Sequence, residues 1–169
     1  MIFNRFAREA RRCVEAAVEK ARLIGHDSVG DEDLLLGILH ADEGMTAEAL
    51  TSLGVTLRGA REESERMASD ALASVGISLE EIRTQAGDAF EMRIPDSRRV
   101  PFSPQAKKVL ERSLREGVML GDRYLGAEHI LLGILHSEDG MAVRMLSRMG
   151  VSPEVLEDRL FELRGRAAG

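Results

Sequence analysis

The sequence predicts an all-α chain: two pseudo-twofold four-helix repeats packed as one domain, with an extra helix in the inter-repeat segment. Three observations carry this prediction. The chain repeats itself at an offset of 96 residues, its apolar residues fall at helical spacing, and Ser, Pro and Gly punctuate the segments where helices should start and stop. Gly25–Val55 aligns with Gly121–Val151 without a gap, and 14 of the 31 positions are identical. The alignment reaches back to Ala10-Arg11-Arg12 against Ala106-Lys107-Lys108, and forward to about Leu57 and Pro153. Three segments follow: a first repeat at 1–62, an inter-repeat helical segment and linker at 63–97, and a second repeat at 98–165.

The first helix of each repeat is read from apolar spacing. Ala10, Val14, Ala17, Val18 and Ala21 mark one, and Val109, Leu110, Leu114 and Met119 mark the other less regularly. Ser103-Pro104 gives the second of these an N-cap and a proline in its first turn. Ala7 stands at the matching place in repeat 1, so Asn4 is expected to cap that helix one turn earlier. A short apolar helix follows in each repeat, Glu32–His40 and Glu128–His136, with Asp31 expected to cap the first. Ala127 has no side chain with which to cap the second. Third helices at about 45–53 and 141–149 end at Gly54 and Gly150, and Thr56 and Ser152-Pro153 open the fourth. Between the repeats, Ser78-Leu79-Glu80-Glu81 is a capping box that predicts a helix from 79 to about 90, and 92–101 reads as linker.

Composition narrows the function. Apolar residues make up 44% of the 169, enough for a core, but there are only five Phe, one Tyr and no Trp. That core must be aliphatic, and Met45, Met141, Met145 and Met149 are expected to fill gaps in it. The net charge of −6 argues against nonspecific nucleic-acid binding and suits cationic peptide partners. Cys13, the single cysteine, is expected to be a buried thiol in a reducing compartment. No apolar run is long enough to span a membrane, and the chain is read as cytoplasmic. No nucleotide-binding Gly-Lys loop, GxSxG, HExxH or paired CxxC is present, so no enzyme and no cofactor is expected. His40, His136 and His129 lack a second His or Cys at ligand spacing, and are read as structural or surface residues rather than metal ligands.

The opening helix, the doubled G-H/D-x-x-h-G-x-E-H/D-h-L-L-G-I-L-H run and the closing A-x-x-h-L-x-x-h-G-V resemble the double Clp amino-terminal domain of ClpC- and ClpA-type unfoldase ATPases. GAEHILLGILHSEDG (126–140) is the most similar stretch. The length of the middle segment is more like stand-alone actinobacterial members that lack the ATPase. The resemblance implies an ATP-independent module that binds substrate or adaptor proteins and peptides, including phosphoarginine-marked ones and Clp-targeting cyclic peptide antibiotics. It would act as adaptor, regulator or decoy for a ClpC protease system, or else as the substrate-recruiting front of a full Clp ATPase.

The same resemblance implies one pocket in each repeat. Glu32 and Glu128 would face a guanidinium, and Ser103 would hold the phosphate in the second pocket. Ala7 replaces that hydroxyl in the first, while Asp31 and Ala127 stand where the family has Thr. Phe3, Phe102 and Lys107 mark the implied cyclic-peptide or hydrophobic surface. From position alone, Glu32 and Glu128 are equally explained as first-turn carboxylates favoured by the helix dipole.

Overall fold

A computed structural model describes residues 5–41, 44–78, 80–81, 84 and 99–169. Among the described residues the architecture is all-helical. The first repeat comprises α1 (Arg8–Ile24), α2 (Asp31–Ala41), α3 (Met45–Ser52) and α4 (Leu57–Ala73). The second comprises α5 (Pro104–Met119), α6 (Ala127–Leu135), α7 (Met141–Arg148) and α8 (Pro153–Ala168). Glycines close the helices where the backbone must turn left-handed: Gly25, Gly54 and Gly150 have φ of 83°, 84° and 80°. Thr56, Ser103 and Ser152 each accept a backbone N–H of the first turn they cap. Asn4 lies outside the described residues; α1 begins at Arg8 with Ala7 in the N-cap. Ser78 Oγ accepts the Glu81 N–H at 3.3 Å, as the capping box predicts, and most of the helix expected beyond it is outside the described residues.

The apolar α2 and α6 form the centre. Leu34, Leu35, Ile38, Ile130, Leu131, Leu132 and Ile134 are fully buried. The glycine inside each LLGILH motif sets how closely the first helix can cross. A Cβ on Gly37 would collide with the Cys13 carbonyl oxygen, and one on Gly133 would sit 2.5 Å from the Val109 carbonyl oxygen and 2.7 Å from Ser113 Oγ. Cys13 is buried in that crossing, as expected. Met145 is fully buried and Met45 and Met149 pack on the core, whereas Met141 is 41% exposed and fills no gap.

The repeats are joined by reciprocal contacts. Phe6 bridges to Leu125 and Val29 to Phe102, both in parallel sense. Each pair maps onto the other at an offset of 96, the mark of a near-twofold axis. In the second bridge, Val29 N–H donates to the Pro101 oxygen at 2.8 Å and Ser103 N–H to the Val29 oxygen at 2.9 Å. Farther out, Arg148 Nε of α7 meets Glu63 Oε1 of α4 at 2.6 Å, and Arg159 Nε of α8 donates to Ser52 Oγ at 3.0 Å. These too are equivalent positions, filled with different chemistry. No described helix is long and apolar enough to cross a membrane.

Candidate functional site: two seam clefts

The bridges carry the leading segment of each repeat across to the other. Each second-helix N-terminus therefore faces the opposite repeat, and an open cleft lies over each one, of about 470 Å³ at α2 and about 420 Å³ at α6. Ser103 and Gln105 of the second repeat line the α2 cleft beside Glu32, Asp31, Asp27 and His26. Ala7 and Thr46 of the first repeat line the α6 cleft beside Glu128, Asp122, Arg123 and Arg164. The expectation that Ser103 serves with Glu128, in a pocket confined to one repeat, is thus corrected: Ser103 shares a cleft with Glu32, and the hydroxyl-free Ala7 shares one with Glu128.

Asp31 is also corrected. It does not cap its own helix. Its Oδ2 accepts the Ala142 N–H at 2.9 Å, buried, and so caps α7 of the other repeat. The local cap is built three residues into each helix start instead. Asp33 Oδ2 accepts the Gly30 N–H at 2.9 Å, and His129 Nδ1 accepts the Gly126 N–H at 2.8 Å. Since Nδ1 accepts there, the His129 proton sits on Nε2, which donates to Asp122 Oδ2 at 2.8 Å.

The electrostatics of the two clefts differ. At α6, Arg164 Nη2 lies 2.8 Å from Asp122 Oδ2, and Nη1 lies 3.9 Å from Glu128 Oε1. Desolvation works to raise the Asp122 pKa, but hydrogen bonds from Arg164 and His129 outweigh it and hold the carboxyl below its ordinary value. At α2 no arginine is among the lining residues. Burial pushes Glu32 up to about 7, with Asp33 and Asp31 adding to the shift and a backbone N–H working against it. The Asp33 carboxylate, through its hydrogen bond, raises the His26 pKa against desolvation.

His26, Glu32 and Asp33 bring three donor atoms within 4.8 Å of one another, and Asp122, Glu128 and His129 do the same. Of the surface residues implied by resemblance, Phe102 is half-buried in the seam, Lys107 is exposed and Phe3 lies outside the described residues. His136 sits between Glu116, at 2.5 Å, and Glu157, at 3.1 Å, while His40 is exposed. Sequence reasoning missed His26, Asp33, Asp122 and Arg164 as parts of the site. A signal for the first three was present: the aligned repeats exchange His26/Asp33 for Asp122/His129, a paired swap expected of touching side chains.

Comparison with known proteins decides the family. The Clp repeat (R) N-terminal domain matches residues 5–70, 62–149 and 101–168. The chain belongs to this Clp repeat family. The matched domain is non-catalytic. A chloroplastic Clp protease ATP-binding subunit of Solanum lycopersicum, the ClpA homolog CD4B, is 34% identical over 166 residues, 98% of this chain and 16% of its own length. The chloroplastic chaperone protein ClpC1 of Arabidopsis thaliana is 34% identical over 164 residues, 97% of this chain and 15% of its own. The chain thus spans under a fifth of the length of these relatives.

Among solved structures, the N-terminal domain of ClpD from Arabidopsis thaliana matches with a TM-score of 0.69 and 26% identity, covering 95% of this chain and 97% of that one. The Hsp104 N-terminal domain of Candida albicans, at 18% identity and a TM-score of 0.65 over 95% and 91% of the two chains, shares the fold. The match to the ClpD domain is nearly complete on both sides, and nothing in it singles out a stand-alone or actinobacterial subgroup.

Proposed function

We propose that this Clp repeat chain is a substrate-recruiting module of the kind that fronts a Clp ATPase, gathering marked protein segments in its two seam clefts. The observation that carries this reading is the pair of glutamates, Glu32 and Glu128. Each heads a helix, and each is open to a cleft completed by the opposite repeat. A carboxylate at that place favours a guanidinium, with which it makes charge-assisted hydrogen bonds.

The clefts suit different guests. The α6 cleft combines Glu9, Asp122 and Glu128 with Arg123, Arg164 and the first turn of α1, so it offers both signs of charge to a zwitterionic guest such as phosphoarginine. The α2 cleft has the Ser103 hydroxyl, but Asp27, Asp31, Glu32 and Asp139 would repel a phosphate. Calorimetric titration with a phosphoarginine peptide, in metal-free buffer, tests this. Glu128→Ala should weaken binding about 10- to 100-fold, the scale of a hydrogen bond to a charged group, and Glu32→Ala should leave it nearly unchanged. Equal binding in the parent and Glu128→Ala, or no binding in either, would refute the assignment.

A further inference from the structure

The two second-helix starts bring together the same three kinds of donor, one imidazole and two carboxylates, at equivalent positions. In the second repeat that set is already complete. The Arg164 guanidinium lies on Asp122 and near Glu128, and both ring nitrogens of His129 have partners. In the first repeat the residue 96 positions before Arg164 is Ala68 of α4, which brings no charge.

What is left at α2 is a donor set with no arginine; the fixed cation that Asp33 feels is Lys20 of α1, which does not line the cleft. Asp33 is fully buried, and its Oδ2 takes the Gly30 N–H and lies 3.2 Å from His26 Nδ1. Its other oxygen, Oδ1, is buried with no hydrogen-bond partner among the described residues. A buried carboxylate oxygen with no partner is costly unless something positive meets it. Beside His26 and Glu32, the residues Asp27, Asp31 and Asp139 line the α2 cleft and add negative charge. The His26 side chain is 36% exposed and lines the cleft with Glu32, so these two members of the set can be reached from solvent, with Asp33 buried behind them.

We propose that His26, Glu32 and Asp33 bind a divalent metal ion of the zinc class, which takes the place that the Arg164 guanidinium fills in the second repeat. One imidazole with two carboxylates is a mixed nitrogen and oxygen set, suited to zinc and its neighbours. Calcium and magnesium favour oxygen alone. Three protein ligands leave at least one coordination position to water or to a guest. The ion would occupy Glu32, so that cleft would take a cationic side chain only when metal-free and an anionic guest group when loaded. This inference does not rest on the phosphoarginine reading, whose titration is run without metal.

Zinc chloride titrated into the metal-free 169-residue chain, followed by calorimetry and by NMR of the imidazole rings, tests it. One saturable site per chain is expected. The His26 ring signals should move, while those of His40, His129 and His136 stay in place. His26→Ala and Glu32→Gln, checked for native helicity, should each weaken binding about tenfold or more, since even supporting groups at metal sites carry that much. No saturable binding, a response at His40 in place of His26, or unchanged affinity in both variants overturns the proposal.

Discussion

The α2 and α6 clefts are built alike and charged differently. Both put a glutamate over an N-cap glycine, and both cap that glycine's N–H with the third helical residue. The capping residue is Asp33 in one and His129 in the other, and its partner changes to match: His26 opposite the aspartate, Asp122 opposite the histidine. The swap is tolerated because the helix start needs only an acceptor, which a carboxylate oxygen and a neutral imidazole nitrogen both provide. The consequence falls on the cleft. Asp122 faces outward as an anion and recruits Arg164, whereas His26 leaves the acidic residues around Glu32 without a resident arginine. Duplication kept the scaffold and separated the chemistry.

Three sets of substitutions sharpen the comparison, the largest effect first. Gly37→Ala and Gly133→Ala place a methyl group at equivalent helix crossings, and each should destabilise by about 1–3 kcal/mol. Gly37 should cost more, because its neighbour is the backbone oxygen of Cys13, whereas at Gly133 part of the crowding is the Ser113 hydroxyl. Urea midpoints at constant slope measure both, and a silent Gly37→Ala would contradict the packing described.

Asp31→Ala removes the buried acceptor of the Ala142 N–H and should cost about 1–2 kcal/mol. Its counterpart in the second repeat is already Ala127, so this cap belongs to one half only. Amide exchange localises the loss: Ala142 and its neighbours in α7 should exchange faster, while the first turn of α3 stays as it was.

The smallest effect is electrostatic. Desolvation lowers the His136 pKa, but hydrogen bonds to Glu116 and Glu157 outweigh it and leave the value above 6.5. The folded protein then holds a proton that the unfolded chain releases first. The stabilisation is therefore fully present below pH 6.5 and lost as pH rises through the raised value. The positions equivalent to the two glutamates in repeat 1 are Lys20 and Arg61, and His40 is exposed. His136→Gln should destabilise the fold more at pH 5.5 than at pH 8.5, by less than about 1 kcal/mol given its exposure, and urea midpoints at the two pH values measure it.

The helices were legible in the sequence because their signals are local. Ser103-Pro104, Ser152-Pro153, Gly54 and Gly150 mark starts and stops within a few residues, and the aligned repeats checked one another. The clefts were half legible. Glu32 and Glu128 stand out by position, but which residue of the other repeat faces each one depends on bridges between segments far apart in the chain. Sequence order therefore pairs Ser103 with Glu128, whereas the fold sets it beside Glu32. Asp31 was misassigned for a related reason: next to a helix start a carboxylate reads as a local cap, and nothing nearby in sequence points to Ala142, 111 residues away. Arg164 lies on a solvated helix face by pattern, and only its return across the fold to Asp122 gives it a role.

The exchanged bridges, Phe6 with Leu125 and Val29 with Phe102, have an evolutionary corollary. A protein made of one such quartet could not finish a binding cleft alone; it would have to borrow the missing wall from a second molecule. Fusing two quartets in one chain makes that loan permanent and independent of dilution. It also frees the two once-identical seats to diverge, one keeping a built-in guanidinium and the other left to find its positive charge elsewhere.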